Sequence, residues 1–280
     1  MKSILCAVSI AFVAGIALAQ RDGFECTQID IGAKSTSAMA INSRGDIAGQ
    51  FTDARNRTHG FLIDHRRGDV SIIDVPGSVR TTVVGINAEG DMVGRVDDAT
   101  GAHGYLLSRG VFTILQFPGS TFTAAGGINS RGDIIGNYNV GAAMYAFTLI
   151  DGVYSTVVIP GSTATQGAGI DDSGDLAGNY VNSTGRHGFI LNGSELTTVD
   201  VPGAPATRMR GITRASNLAV GTASFSSSNR GLLLQGGVQT LFDYPGGATT
   251  TIFGVNAVGD FVGDFGETTT ATVFHGYVCR

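Results

Sequence analysis

From residue 24 to the end, the chain repeats itself every 42 to 45 residues, and this periodicity constrains its fold more than any other feature. Aligned on a Gly-Ile-Asn signal, the copies start at Ala40, Gly85, Gly127, Gly169, Gly211 and Gly254. A unit of about 40 residues cannot bury both faces of a small sheet alone, so such units stack around a hub, and a period of that size built from short strands indicates a propeller.

Each unit reads as four strands. A β-branched segment such as Thr82-Val83-Val84-Gly85-Ile86-Asn87 turns at a Gly-Asp step and returns as an apolar strand, Met92-Val93-Gly94. A variable polar loop leads to a third strand opening His-Gly-aromatic, at His59, His103, His187 and His275, with Tyr145 and Arg230 at the matching places in the third and fifth units. Two-residue corners such as Arg109-Gly110, Asp151-Gly152, Gly193-Ser194 and Gly236-Gly237 supply the positive φ of a tight hairpin into the fourth strand. Five fourth strands end at Pro-Gly, where proline stops the ladder. No helical period competes, and the expectation is an all-β, six-bladed β-propeller of four-stranded blades over residues 20–280.

The last unit, from Gly254, has only three strands. Its missing outer strand stands at the front, where Phe24 to Thr36 aligns with Val70 to Thr81. In that register Cys279 matches Leu191 and Cys26 matches Leu196, a directly opposed pair across the Gly193-Ser194 hairpin. The non-hydrogen-bonded pair beside a two-residue turn has a Cα separation of about 4.5 Å, within disulfide reach, so a Cys26–Cys279 bond is expected.

Ahead of this, Met1-Lys2 precedes an apolar run from Ile4 to Leu18, and Ala17-Leu18-Ala19 offers a small-x-small cleavage pattern. Residues 1–19 are therefore expected to be a signal peptide cut between Ala19 and Gln20, because about fifteen apolar residues fall short of the roughly 20 that span a bilayer. Cys6 lies early in this leader, so lipid anchoring is not expected. A secreted, extracellular or periplasmic location follows, in which two cysteines can remain oxidised. The net charge is −5 and the only adjacent basic pair is Arg66-Arg67, so neither nucleic acid nor an anionic membrane is an expected partner.

With the anchors GIN, GD, HGF and D-x-PG in view, the chain resembles the extracellular repeat proteins of the HAF family, named for a His-Ala-Phe triplet in each unit. Here glycine replaces that alanine after the four histidines. The resemblance implies an exported repeat protein and assigns no activity to particular residues.

Motifs that suggest chemistry are outweighed by simpler roles. Arg44-Gly45-Asp46 and Arg131-Gly132-Asp133 occupy the turn where other units carry Glu89-Gly90-Asp91 or Ser173-Gly174-Asp175, so Gly-Asp is turn chemistry rather than an adhesion tripeptide; Arg67-Gly68-Asp69 is a third copy, in a loop. The four repeat histidines sit on different blades and cannot converge on a metal; a hydrogen bond that ties the strand start to neighbouring backbone is the expected role, with the strand-four aspartates Asp74, Asp200 and Asp243 as candidate partners. Asp171-Asp172-Ser173-Gly174-Asp175 lacks the spacing of a calcium loop. His65 is expected to be solvated, and Tyr138 and Tyr180 are the only modest stacking platforms for a sugar.

No catalytic, cofactor or metal residue is assigned. The expected function is a monomeric, non-catalytic binding or scaffold module acting through a ring face or channel mouth on an unknown protein or polymer. The alternative is a propeller hydrolase or lyase with acids converging at one mouth, drawn from Asp97, Asp98, Asp172 and Asp264.

Overall fold

Alternating apolar residues with a tight turn every ten or so favour a chain that folds back on itself in antiparallel hairpins. Among the described residues of the computed structural model, which are 19–21 and 23–280, every regular element is a strand. The expected leader, residues 1–18, lies outside them. No helix among the described residues is long and apolar enough to cross a membrane.

The fold is an all-β propeller with four-stranded blades. Strands Ser35–Ile41, Ile47–Thr52, Thr58–Ile63 and Val70–Ile73 form one sheet in sequence order, and the strands between Arg80–Ile86 and Val111–Leu115 and between Thr123–Ile128 and Val153–Val157 form two more. Two departures from one separate sheet per repeat occur. The fourth and fifth repeats share an eight-stranded sheet through a single parallel pairing, Arg186 with Ala206. The last sheet has a fifth strand, Ala19–Arg21, folded back on Phe24–Cys26, so the expected cleavage point falls inside it.

That last sheet combines both chain ends. Strand Phe24–Ile29 pairs antiparallel with His275–Cys279, placing Cys26 directly opposite Cys279. The flanking Glu25 and Arg280 exchange both backbone hydrogen bonds at 3.0 Å, which leaves the cysteines as the non-hydrogen-bonded pair. Their Cα atoms stand 4.1 Å apart and a disulfide joins them.

The sheets pack face to face through the residues that define the repeat. The aromatic or leucine of each third strand, Phe61, Tyr105, Phe147, Phe189, Leu232 and Tyr277, is fully buried. One apolar cluster joins Ile29, Val262 and Val278 of the last sheet to Ala38, Ile47 and Phe61 of the first, so the final sheet packs on the opening one.

The Gly-Ile-Asn signal has a physical origin in the innermost strands. Asn42 Nδ2 donates to the Asn87 carbonyl at 3.0 Å, Asn87 to Asn129 at 3.2 Å, Asn129 to Asp171 at 3.0 Å, and Asn256 back to Asn42 at 3.2 Å. Each asparagine therefore staples its unit to the next near the axis, and each also accepts backbone N–H bonds within its own turn, as Asn129 does from Arg131 and Asp133. In the fifth unit, where Thr213 stands in place of asparagine, the left-handed turn residue moves one place along, to Asn217 at φ 50°, which stands where the other units have the aspartate after their glycine.

Candidate functional site

Every innermost strand carries a β-bulge at the same place. The ladder slips between Ala38 and Ala40, Val83 and Gly85, Ala125 and Gly127, Gly167 and Gly169, Met209 and Gly211, and Ile252 and Gly254. A bulge leaves one residue unpaired and re-aims its side chain. The extra residues are Met39, Val84, Gly126, Ala168, Arg210 and Phe253, and all of them line the central channel, a cavity of about 310 Å³. The buried core is nearly identical from unit to unit, whereas this row carries six different residues, and one of them is an arginine.

A second row comes from the residue after the glycine of each second strand, Gln50, Arg95, Asn137, Asn179, Thr222 and Asp264, of which Arg95 and Asn137 line the central channel and Thr222 and Asp264 a cavity at its mouth. Around the fifth and last units the rows meet in a mouth cavity of about 480 Å³, lined by Arg208, Arg210, Thr222, Thr251, Phe253, Asp264 and neighbours. The Arg210 guanidinium lies over the Phe253 ring, 5.5 Å from its centroid. Arg208 Nη1 donates to Ser224 Oγ at 2.8 Å. Arg186, reaching in from the start of its third strand, donates to Gln166 Oε1 at 3.1 Å and to Asn179 Oδ1.

The electrostatics are strained in the cationic direction. Burial lowers Arg210 to about 10, and the Arg208 and Arg186 charges push the same way against the pull of Asp264. Arg208 is lowered by burial and by Arg186. Asp264 is raised to about 6, chiefly by burial, and the Ser37 hydroxyl, Arg210 and Thr251 offset only part of it. Ser37 Oγ donates to Asp264 Oδ2 at 2.7 Å from across the first sheet. The Nε atoms of Arg210 and Arg80 are buried without an acceptor among the described residues.

A raised carboxylate has a defined consequence for stability. The folded chain keeps the Asp264 proton up to about pH 6, while the unfolded chain releases it near its ordinary value of 3.8. Between these values the folded state binds more protons, so this group makes stability fall as pH rises through the window. Urea unfolding at a series of pH values should show that descent in the wild type and its absence in Asp264→Asn; parallel profiles would contradict it. Asp46, Asp53, Asp64 and Asp98, held below their ordinary value, act in the opposite sense and at lower pH.

The acids considered for catalysis do not gather. Asp264 is in the channel wall, Asp97 accepts from Arg95 Nε at 2.6 Å, Asp98 caps a turn by accepting from Thr100, and Asp172 accepts from Ser130 N in a hairpin at the other end of its strands. Asp171 and Asp175 of the calcium-like stretch are engaged by protein donors, the first by Ser173 N and Asp175 N and the second by Arg214 at 2.8 Å. In the Arg-Gly-Asp turns the arginine pairs with its own aspartate, Arg44 Nη2 to Asp46 at 2.8 Å and Arg131 Nη2 to Asp133 at 2.6 Å, and both aspartates are buried. Tyr138 and Tyr180 are buried in the blades, hydrogen-bonded to Thr156 and Thr198.

The histidines act as clasps between third and outer strands. His59 Nδ1 is 2.8 Å from Asp74, His187 Nδ1 2.9 Å from Asp200 and His275 Nδ1 3.0 Å from Asp30, and each of these rings also packs on an aromatic of the second strand. Asp243 differs from expectation: its partner is Arg230, at 2.6 Å, because the fifth unit has arginine at the histidine position. His103 pairs with Gln116 at 2.6 Å, since the second unit has glutamine there. His65 is exposed, its backbone N–H donating to Asp46.

Reading Arg66-Arg67 as the only basic grouping missed the channel arginines, which are scattered in sequence and adjacent in space. The signal was present in the alignment: Arg208-Met209-Arg210 stands where the fourth unit has Gln166-Gly167-Ala168 and the third Ala124-Ala125-Gly126.

No family model and no curated protein sequence matches the chain. Solved structures with the same fold include AofleA from Arthrobotrys oligospora, with a TM-score of 0.57 at 12% identity, covering 92% of this chain and 86% of that one. Virginiamycin B lyase from Staphylococcus aureus follows at 0.51 and 14% identity, covering 86% and 81%. TolB from Acinetobacter baumannii gives 0.56 at 12% identity, covering 88% of this chain but 54% of TolB, so the chain spans about half of that protein. At such identities the likeness is one of fold, and the chain is similar to β-propeller proteins that carry different functions.

Proposed function

We propose that the chain from Gln20 onward is an exported, non-catalytic binding module: a closed ring of six blades, of HAF-type repeats, that presents one channel mouth to a ligand. The observation that carries this reading is the mouth itself. It gathers Arg208, Arg210, Thr222, Thr251 and Phe253 with a single acid, Asp264, while the other acids a hydrolase or lyase would use are dispersed or already paired. The six-blade count is supported by the six equivalent bulged inner strands and by the asparagine staples that run from unit to unit. Export is supported by the apolar leader and by a disulfide of the kind that persists in oxidising compartments. A stiff ring with short loops suits recognition, because its binding groups are held in place before the ligand arrives.

The test is a panel of soluble polysaccharides, proteins and small acids titrated calorimetrically into the purified protein, with mass spectrometry of each bound compound afterwards. The reading expects a ligand that is recovered unchanged and whose binding falls on substitution at the mouth. Chemical conversion of the ligand, or binding that ignores the mouth, would contradict it.

A further inference from the structure

Several arginines of the chain are neutralised where they stand. Arg44, Arg95, Arg131, Arg214 and Arg230 each lie within 3.0 Å of an aspartate oxygen. Among the described residues Arg186, Arg208 and Arg210 have no carboxylate at ion-pair distance; the first two bond to neutral oxygens of Gln166, Asn179 and Ser224, and Arg210 Nε has no acceptor at all. Burying like charges together is costly unless something compensates. The one carboxylate on the cavity is Asp264, so a single acid offsets the guanidinium groups of Arg208 and Arg210, with the Arg186 charge close enough to act on both, and positive charge is left in excess at the mouth.

We infer that this mouth is a binding site for a small doubly charged oxyanion, carried as a dicarboxylate or as a phosphate monoester, with Arg208 and Arg210 as its principal ligands. The inference rests on the proposed reading that the mouth binds. Guanidinium groups match both chemistries, since their planar forks donate paired hydrogen bonds to carboxylate or phosphate oxygens. Thr222 and Thr251, the second bonded to Asp264, line the same cavity. A volume of about 480 Å³ admits a compound of ordinary metabolite size, and the Phe253 ring under Arg210 keeps that guanidinium oriented.

The acid in the wall sets a pH dependence. Asp264 is faced by Ser37 of the first sheet, by Thr251 and Tyr277 of its own sheet and by Arg210 of the fifth unit, with Arg208 on the same cavity. Its protonation removes the one negative charge that competes with an incoming anion, so affinity for a ligand that does not itself titrate rises as pH falls from 7 toward 5.

Calorimetry on the full protein, using succinate, inorganic phosphate, glycerol phosphate, sulfate, acetate and neutral glucose as probes, decides the matter. At least one dianion should bind on the order of tenfold more tightly than acetate. Arg208→Gln or Arg210→Met should weaken it about tenfold or more, the loss of one charge-assisted contact. Asp264→Asn should tighten it at pH 7, and sulfate should bind more tightly at pH 5 than at pH 7. Succinate stronger than the phosphates assigns the carboxylate class, and the reverse assigns phosphate. Should an arginine variant fail to fold, Asp264→Asn and the sulfate pH series still decide. No dianion binding, or binding indifferent to Arg208 and Asp264, overturns the inference. A neutral ligand lost on substitution of the same residues would overturn the anion assignment and leave the binding reading standing; no ligand sensitive to the mouth would remove both.

Discussion

Replacing Cys26 and Cys279 together by serine is expected to lower folding stability by roughly 2–5 kcal/mol. The bond closes a loop of 253 residues in sequence separation, nearly all of the folded chain. In the chain-entropy account a loop of that size restrains the unfolded ensemble by about 5 kcal/mol, and strain or residual unfolded structure subtracts from that figure. Native contacts at the site are mostly retained, because both cysteines are buried among Leu233, Phe242, Phe261 and Tyr277 and serine differs little in size. The loss therefore comes mainly through the unfolded state, with the burial of two hydroxyls in an apolar cluster adding to it, and it should appear as a lower denaturation midpoint with the native fold preserved. For a chain of this length it corresponds to a fall in Tm on the order of 10 °C. Wild-type protein treated with reductant should gain two daltons and then melt like the double variant; a variant that melts with the oxidised wild type would contradict the account.

Gly169→Val is expected to cost at least about 3 kcal/mol, the upper end of what overpacking usually costs, or to prevent folding. Consecutive inner strands approach so closely here that a Cβ on Gly169 would sit 2.8 Å from the Arg210 carbonyl oxygen and 3.1 Å from Gly211 Cα. Both obstacles are backbone, so neither can swing aside. The same crowding recurs at Gly85 against Gly127 and at Gly254 against Ala40, which explains why glycine opens the Gly-Ile-Asn signal. Ala40 is the one unit start that carries a methyl group, and its Cα is what a Cβ on Gly254 would meet at 3.0 Å. Ala40→Gly is accordingly a matched control expected to cost no more than about 1 kcal/mol. Similar melting of Gly169→Val and Ala40→Gly would show that the inner strands have room to separate.

What was legible in the sequence is what the units share. Gly-Ile-Asn, Gly-Asp, the His-Gly-aromatic triplet and Pro-Gly recur because each answers the same local demand: close approach at the axis, a left-handed turn, a buried ring and the end of a ladder. Chain closure and the disulfide could be read for the same reason, since the front segment is the missing piece of the same pattern. The candidate site lies in what the units do not share. Arg208 and Arg210 are 22 and 24 residues from Arg186 and more than 50 from Asp264, so no window along the sequence groups them. The bulge hid them further, because one extra residue breaks the two-residue alternation by which inward and outward faces of a strand are read. The parallel pairing of Arg186 with Ala206, which fuses two sheets, also has no local signal. It depends on how two neighbouring units dock.

Chain closure depends on the front of the folded chain being a strand of its last sheet, paired with the strand that ends the chain. Hydrogen–deuterium exchange on the oxidised protein, followed peptide by peptide, measures it directly. Amides of Phe24–Ile29 should be protected to a degree comparable with those of the partner strand His275–Cys279, and both should lose protection together under reductant. Exchange of Phe24–Ile29 at the rate of an unstructured peptide, beside a protected His275–Cys279, would contradict it.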